Sequence, residues 1–368
     1  MAAVFLLVPG AFAADGVDYR EASVGADNSV AWSTKSIDSY ATVTADDTAW
    51  GTDGATTWYV VSADTTLGSR VTVSGTVNLI IEDGVTLTAS TGINVPSDAT
   101  FTVYGQAAGT GALTATAEDR FAAIDGSDAS AGTDGTVGDS GEITLEGVTV
   151  TANGGYGAAG IGGGYGNPNT GGYGSDTSTV VTGGNAAGIT IIGGTVNASS
   201  PKGYGTGIGG GYMGSSGTIT INAATVVASC GKYGYGAGIG GGYNGTNGTV
   251  SIVNGSTVTA STAAQAAGIG SGYYGCSDAS KALAAGAIDI SDSTVTATGG
   301  TGGAGIGSGS GASQTSTAGR VSISGSSFVT ATGGSDAAGI GGGQGVVGGD
   351  VTIAGGTVVA HGRGFVRQ

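Results

Sequence analysis

The stretch Ala159-Gly160-Ile161-Gly162-Gly163-Gly164 decides the fold, because near copies of it return along the chain. The isoleucines at the centres of the later copies are Ile208, Ile239, Ile269, Ile306 and Ile340. From Ile161 onwards these isoleucines are separated by 47, 31, 30, 37 and 34 residues, and a degenerate copy lies upstream at Ala123-Ile124-Asp125-Gly126. A phrase that recurs at this period is typical of a stacked repeat architecture.

Two further phrases accompany each copy, and both alternate apolar and polar residues. Examples of the first are Glu142-Ile143-Thr144-Leu145 and Thr218-Ile219-Thr220-Ile221, and examples of the second are Thr149-Val150-Thr151 and Thr257-Val258-Thr259. Such alternation in β-branched residues predicts strands with one buried face. Glycine supplies 80 of the 368 residues, which disfavours helices because each helical Gly costs about 1 kcal/mol relative to Ala.

Three short strands separated by three turns are the content of one coil of a parallel β-helix. We therefore predict an all-β fold, a single right-handed parallel β-helix of about 30–40 residues per coil. The repeated isoleucines should form one inward column, with neighbours about 4.8 Å apart. An antiparallel sandwich is the rival fold, but it gives no reason for a fixed phrase at this period.

The chain divides into four segments. Residues 1–13 are predicted to be a truncated signal peptide, since they are apolar, lack a basic residue and end in Ala11-Phe12-Ala13, a small-x-small cleavage pattern. We expect a leader or N-terminal cap over 14–56, the solenoid over 57–362 and a truncated tail over 363–368. The signal predicts that the protein is secreted or held at the cell surface.

The charge balance bounds the partners. Ten basic and 26 acidic residues give a net charge of −16, which argues against nucleic acid and against anionic membranes as partners. No later segment is long and apolar enough to predict membrane insertion. Cys230 and Cys276 fall at different places in the repeat, so the sequence leaves open whether they pair.

The run through Trp58, Thr86-Leu87-Thr88, Gly92-Ile93-Asn94-Val95 and Val103-Tyr104-Gly105, followed by the glycine-rich repeats, resembles a family of secreted bacterial surface proteins. These adhesin-like proteins are predicted right-handed β-helices, and some are labelled as carbohydrate-binding. The resemblance covers about residues 58–360 and brings no catalytic motif. It implies a non-catalytic module of a larger multi-module protein, one that binds glycans, mediates adhesion or serves structural display.

Tyrosines supply the candidate ligand surface. One set lies four residues after a repeated isoleucine, and a second lies four residues before one; together they are Tyr165, Tyr212, Tyr243, Tyr273, Tyr204 and Tyr235. We expect the first set to stack as a column on adjacent coils. Rows of aromatic rings suit sugar rings, because they combine a large apolar face with a polar hydroxyl. The alternative is a structural tyrosine ladder that shields the glycine-rich backbone.

Other chemistry has weaker support in the sequence. A polysaccharide lyase or hydrolase is the main alternative function, but the only histidine is His361 and no catalytic motif is present. We therefore expect no enzyme activity and no cofactor, with one candidate Ca²⁺ loop formed by Asp125, Asp128, Asp134 and Asp139. An ice-binding face is a minor alternative based on the Thr-x-Thr strands, whose columns are interrupted at Val227, Phe328 and Val359.

Overall fold

The computed structural model describes residues 16–126, 139–166, 184–231, 233–275, 286–311 and 318–364. Within these ranges the regular structure consists of β-strands. In the same ranges no helix has the length and hydropathy needed to cross a membrane.

The strands before the glycine-rich repeats include the two longest of the described residues, Ala49–Val61 with 13 residues and Val71–Ile81 with 11. Their bounds are β1 Val17–Val24, β2 Val30–Ile37, β3 Ala41–Thr42, β4 Ala49–Val61, β5 Thr65–Leu67, β6 Val71–Ile81, β7 Thr86–Ala89, β8 Ile93–Asn94, β9 Thr100–Tyr104 and β10 Ala112–Thr116.

The repeats then contribute three strands per coil. Their bounds are β11 Glu142–Glu146, β12 Thr149–Asn153, β13 Ile161–Gly162, β14 Gly188–Ile192, β15 Thr195–Ser200, β16 Ile208–Gly209, β17 Thr218–Asn222, β18 Thr225–Cys230, β19 Ile239–Gly240, β20 Val250–Val253, β21 Thr257–Thr262, β22 Ile269–Gly270, β23 Ile288–Ser291, β24 Thr294–Thr298, β25 Ile306–Gly307, β26 Val321–Ser324, β27 Phe328–Ser335, β28 Ile340–Gly341, β29 Val351–Ile353 and β30 Thr357–Arg363.

Strands in equivalent positions of successive coils pair in parallel and form three sheets. Sheet 1 runs in the order β3-β4-β6-β9-β11-β14-β17-β20-β23-β26-β29, with β8 also paired to β6. Sheet 2 runs β5-β7-β10-β12-β15-β18-β21-β24-β27-β30, and sheet 3 runs β13-β16-β19-β22-β25-β28. The prediction of a right-handed parallel β-helix with three short strands per coil is confirmed.

The repeated isoleucines form the predicted inward column. Ile161 pairs with Ile208, and the pairing continues through Ile239 and onwards to the last repeat in unbroken register. Single bridges extend the column upstream through Ile124 to Ile93, a member that the sequence argument did not include. Full burial of one such side chain contributes about 1.5–3 kcal/mol, so each fully buried isoleucine of the column adds to the driving force for stacking.

The glycine after each isoleucine is required by the backbone. Gly240 has a φ of +130°, and its counterparts in sheet 3 have φ values between +122° and +138°. Residues with a Cβ rarely adopt this conformation. A Cβ at Gly240 would also lie within 3.0 Å of the carbonyl oxygen of Gly270 on the next coil. The repeat phrase therefore supplies both the buried isoleucine and the glycine that allows the coils to approach closely.

The first two strands do not belong to the solenoid. β1 and β2 form an antiparallel hairpin that lies against the outside of several coils. Arg20 N–H donates to Gly105 O at 3.0 Å, Ala22 N–H donates to a Glu146 carboxylate oxygen at 2.7 Å, and Asn222 Nδ2 donates to Asn28 O at 2.9 Å. In the segment 14–56, where we expected a leader or cap, the structure thus places a lateral hairpin and, from Ala41, the first parallel pairing.

The hairpin covers a second, smaller apolar cluster. Tyr19 packs with Tyr104, Val60 and Ile80, which lie on the outward side of sheet 1 and are nevertheless buried. The Tyr19 and Tyr104 ring centroids are 4.9 Å apart. The signal for this cluster was present in the sequence as pairs of consecutive apolar residues at strand ends, since one member of each pair must face outwards.

Candidate functional site

The candidate tyrosines are positioned by a tight inward turn that each coil makes around its repeated isoleucine. The residue two before the isoleucine donates its N–H to the carbonyl two after it, as in Ala237 to Gly241 at 2.9 Å. This hydrogen bond closes a turn whose central isoleucine is the residue buried in the core. Residues four before and four after the isoleucine consequently lie outside the strand of sheet 3.

A hydrogen bond between coils then brings the two tyrosine sets together. The N–H four residues after one isoleucine donates to the carbonyl four residues before the isoleucine of the preceding coil. Tyr243 donates in this way to Tyr204 at 2.9 Å, and Tyr273 donates to Tyr235 at 2.8 Å. The sequence separated these residues into two sets, whereas the structure makes them neighbours.

The result is one cluster of rings on four consecutive coils, which we call the tyrosine patch. Every ring has a centroid within about 6 Å of another ring in the patch. Its members are Tyr156, Tyr165, Tyr204, Tyr212, Tyr235, Tyr243, Tyr273 and Tyr274. All six predicted tyrosines belong to it.

The predicted column forms over three of its four members. Tyr212 stacks on Tyr165 at 4.9 Å and 7° and on Tyr243 at 5.2 Å and 4°. Tyr273 turns edge-on to Tyr243 at 65° and stacks instead on Tyr235 at 5.3 Å and 27°. The Tyr274 ring also stacks on that of Tyr273, with the two centroids 3.8 Å apart. We did not predict a role for Tyr274, although its position next to Tyr273 was the available signal.

Different side chains limit the row of tyrosines at its two ends. At one end the Arg120 guanidinium lies over the Tyr165 ring, 5.2 Å from its centroid. At the other, the next coils carry Ser310 and Gln344 in place of tyrosine, while their N–H groups keep the same bond to the preceding coil. The backbone geometry is therefore common to the coils, and only the side chains define the extent of the patch.

Exposure differs among the tyrosines of this region. Tyr165 is buried, whereas Tyr156 is 36% exposed. Tyr233, which packs over Gly203 beside the patch, is 55% exposed. Both faces of Tyr212 are covered by neighbouring rings, so only its edge is available to a ligand. Burial and a hydrogen bond with Tyr274 raise the pKa of Tyr273, so the phenol keeps its proton at neutral pH.

Charged side chains also lie beside the patch. Lys202 forms an exposed ion pair with Asp119. Lys232, the corresponding lysine of the next coil, lies outside the described residues. An exposed pair of this kind contributes little to stability.

The candidate Ca²⁺ residues fall into two groups. Asp128 and Asp134 lie outside the described residues. Asp125 is fully buried, where desolvation raises the pKa of its carboxyl well above the usual value, and the nearby Arg70 opposes this less strongly. Asp139 accepts a hydrogen bond from Asn185 N–H at 2.8 Å, and partial burial raises the pKa of its carboxyl. Among the described residues no group of three or more His, Cys, Asp or Glu side chains is arranged to hold a metal.

Arg70 has a structural task close to Asp125. Its guanidinium donates to main-chain carbonyl oxygens of Thr91, Ala122 and Ile93, and also to those of Asp125 and Gly126. Burial lowers the pKa of Arg70 to about 10, so the side chain stays charged at neutral pH. The guanidinium therefore joins carbonyl groups of two successive coils around the bridge between Ile93 and Ile124.

The remaining candidates are placed as follows. His361 is exposed in β30 and pairs with Thr332. Cys230 is buried, and burial raises the pKa of its thiol to about 12, while Cys276 lies outside the described residues. The Thr-x-Thr strands form sheet 2 with their threonines outwards, and exposed Val227 and Phe328 interrupt the columns.

Comparison with known proteins supports the fold. No curated protein and no solved structure matches the chain. Six stretches match the family model described as Beta helix repeat, at residues 143–165, 189–212, 219–243, 252–273, 288–310 and 321–344. Each match begins in a strand of sheet 1 and ends four residues after a repeated isoleucine. The chain is therefore a β-helix protein, similar over these six coils to the Beta helix repeat family.

Proposed function

We propose that the protein is a non-catalytic β-helix module, secreted or held at the cell surface, whose tyrosine patch binds polysaccharide. The observation that carries the proposal is the presence of eight clustered tyrosines on one side of four consecutive coils. Three steps of about 4.8 Å make the strip about 14 Å long, which suits a short run of sugar rings.

The geometry dictates how a glycan would be held. The stacked rings of the column offer edges and hydroxyl groups, which donate and accept hydrogen bonds. Stacking against a sugar face falls to the exposed Tyr156 and Tyr233. Binding at one patch would be weak, and useful avidity would come from several copies along a surface.

The test is binding of the purified chain to a glycan array, followed by calorimetry on any hit. Replacing Tyr156 and Tyr233 together with Ala should weaken binding about 5- to 150-fold, if each exposed ring contributes about 0.5–1.5 kcal/mol. The matched control is Thr259→Ala with Thr296→Ala, two exposed residues in sheet 2 that lie outside the patch. Unchanged affinity in the tyrosine variant would contradict the proposal, and so would cleavage of the bound polysaccharide.

A purely structural display module is the second candidate. It is favoured by the coverage of both Tyr212 faces, which is what a ladder that stabilises the coils requires. Glycan binding separates the two candidates, since a display module binds no glycan on the array. It should still lose stability when the stacked tyrosines are replaced with Ala.

A further inference from the structure

Tyrosines of successive coils lie in contact throughout the patch. Tyr204 and Tyr235 have ring centroids 5.1 Å apart, and Tyr235 and Tyr273 have centroids 5.3 Å apart. The Tyr212 and Tyr243 rings are 5.2 Å apart and nearly parallel. Each of these pairs joins one coil to the next, and the backbone ladder of sheet 3 keeps the partners together.

We propose that the tyrosine patch is a site of oxidative cross-linking, at which a one-electron oxidant joins tyrosines of successive coils as dityrosine. The oxidant belongs to the class of peroxidase intermediates formed with hydrogen peroxide. This inference does not depend on polysaccharide binding, because it uses only the contacts between the rings.

Dityrosine forms through two one-electron oxidations. Each of two phenols gives one electron to the oxidant and one proton to solvent, which leaves two tyrosyl radicals. Their ring carbons next to the phenolic carbon form a carbon–carbon bond, and the hydrogen on each of these carbons then moves to the phenolic oxygen. One hydrogen peroxide takes up the two electrons and two protons and becomes two waters.

The patch combines access with proximity. Tyr156 is 36% exposed and lies 5.5 Å from Tyr204 between ring centroids, so an oxidant can remove an electron there. Electron transfer between contacting rings then moves the radical from Tyr156 towards Tyr235 and Tyr273. Coupling between rings held side by side is effectively unimolecular, which favours it over coupling between separate molecules.

Oxidation of the folded chain with a peroxidase and hydrogen peroxide tests the proposal. The product is unfolded, and any disulfide between Cys230 and Cys276 is reduced and the thiols are alkylated. Trypsin then cleaves after Lys202 and Lys232, which separates peptides 203–232 and 233–281. We expect these peptides to be joined, with a mass equal to their sum less two hydrogen atoms. The product should show dityrosine fluorescence and run as a monomer on a denaturing gel.

Two variants make the result specific. Tyr204→Phe with Tyr212→Phe leaves peptide 203–232 without tyrosine while keeping its aromatic packing, and this variant should lose the joined peptides. Tyr19→Phe, outside the patch, should keep them at the wild-type yield. Persistence of the joined peptides in the double variant would overturn the proposal. A wild type that yields only dimers, or no dityrosine, would overturn it as well. Because the oxidation contains no sugar, its outcome is separate from that of the glycan array.

Discussion

Replacing Gly240 with Ala should destabilise the solenoid through two distinct effects. The first is conformational, because a φ of +130° costs an Ala residue about 1–3 kcal/mol. The second is steric, because the new Cβ would lie within 3.0 Å of the Gly270 carbonyl oxygen, and backbone cannot yield as a flexible side chain can. Overpacking of this kind costs about 1–3 kcal/mol more. The expected loss in unfolding free energy is therefore about 2–6 kcal/mol.

A second glycine of the same ladder separates the two effects. Gly341 has a φ of +127°, but the nearest atom to a Cβ there is Ala338 Cβ at 3.7 Å. Gly341→Ala should therefore show the conformational cost alone, about 1–3 kcal/mol. Gly255, whose φ is +76° and whose Cβ would meet nothing within 4 Å, gives the cost of an ordinary left-handed turn.

Urea unfolding followed by far-UV circular dichroism measures all three variants against the wild type. Transitions should be compared by their midpoints, because repeat arrays do not always unfold in one step. If Gly240→Ala is no less stable than Gly341→Ala, the close approach of the coils does not constrain this position, and the argument for the repeat phrase fails.

Ile239→Ala leaves a cavity in the inward column and should lower the unfolding free energy by about 2–5 kcal/mol, measured by urea unfolding, whereas Ile239→Val should cost about 0.5–1.5 kcal/mol. Tyr212→Ala with Tyr243→Ala should lower the free energy of unfolding by about 2–4 kcal/mol, measured by urea unfolding, while the native circular dichroism spectrum is retained. The corresponding Phe pair should stay within about 1 kcal/mol of wild type. If the Ala pair is as stable as the wild type, the ladder is not structural. Glu146→Gln should raise the free energy of unfolding at pH 7 but not below about pH 4. Burial raises the Glu146 pKa above its ordinary 4.5, so the folded wild type loses stability as the pH rises through the raised pKa. The Gln oxygen can still accept from Ala22 N–H, and thermal melts from pH 3 to 8 check the crossover.

The pattern of residues was sufficient for the solenoid. A repeated isoleucine flanked by glycines allows one inward side chain and a backbone with positive φ, and few folds satisfy both at a regular period. The alternation in strands such as β17 and β21 determined which side chains face inwards, because successive residues of a strand point to opposite faces. The inward column and the parallel register follow from these local rules.

The tyrosine patch shows where such rules end. The spacing of Tyr212 and Tyr243 after their isoleucines was enough to predict their stacking. It could not place Tyr204 beside Tyr243, because that contact depends on a hydrogen bond between coils. Nor could the spacing predict that Tyr273 stacks on Tyr235 instead of on Tyr243, since that choice depends on how neighbouring rings, including Tyr274, pack in three dimensions.

The sequence by itself thus determined the repeat, the three strands per coil and the inward isoleucines, because each depends on residues close together in the chain. Only the tertiary structure decided that β1 and β2 lie along the side of the solenoid, where Tyr19 covers Ile80 and Ala22 binds Glu146. The last of these contacts joins residues 124 positions apart. Such contacts carry no periodic signature, since their free energy comes from surfaces that meet only after the coils have stacked.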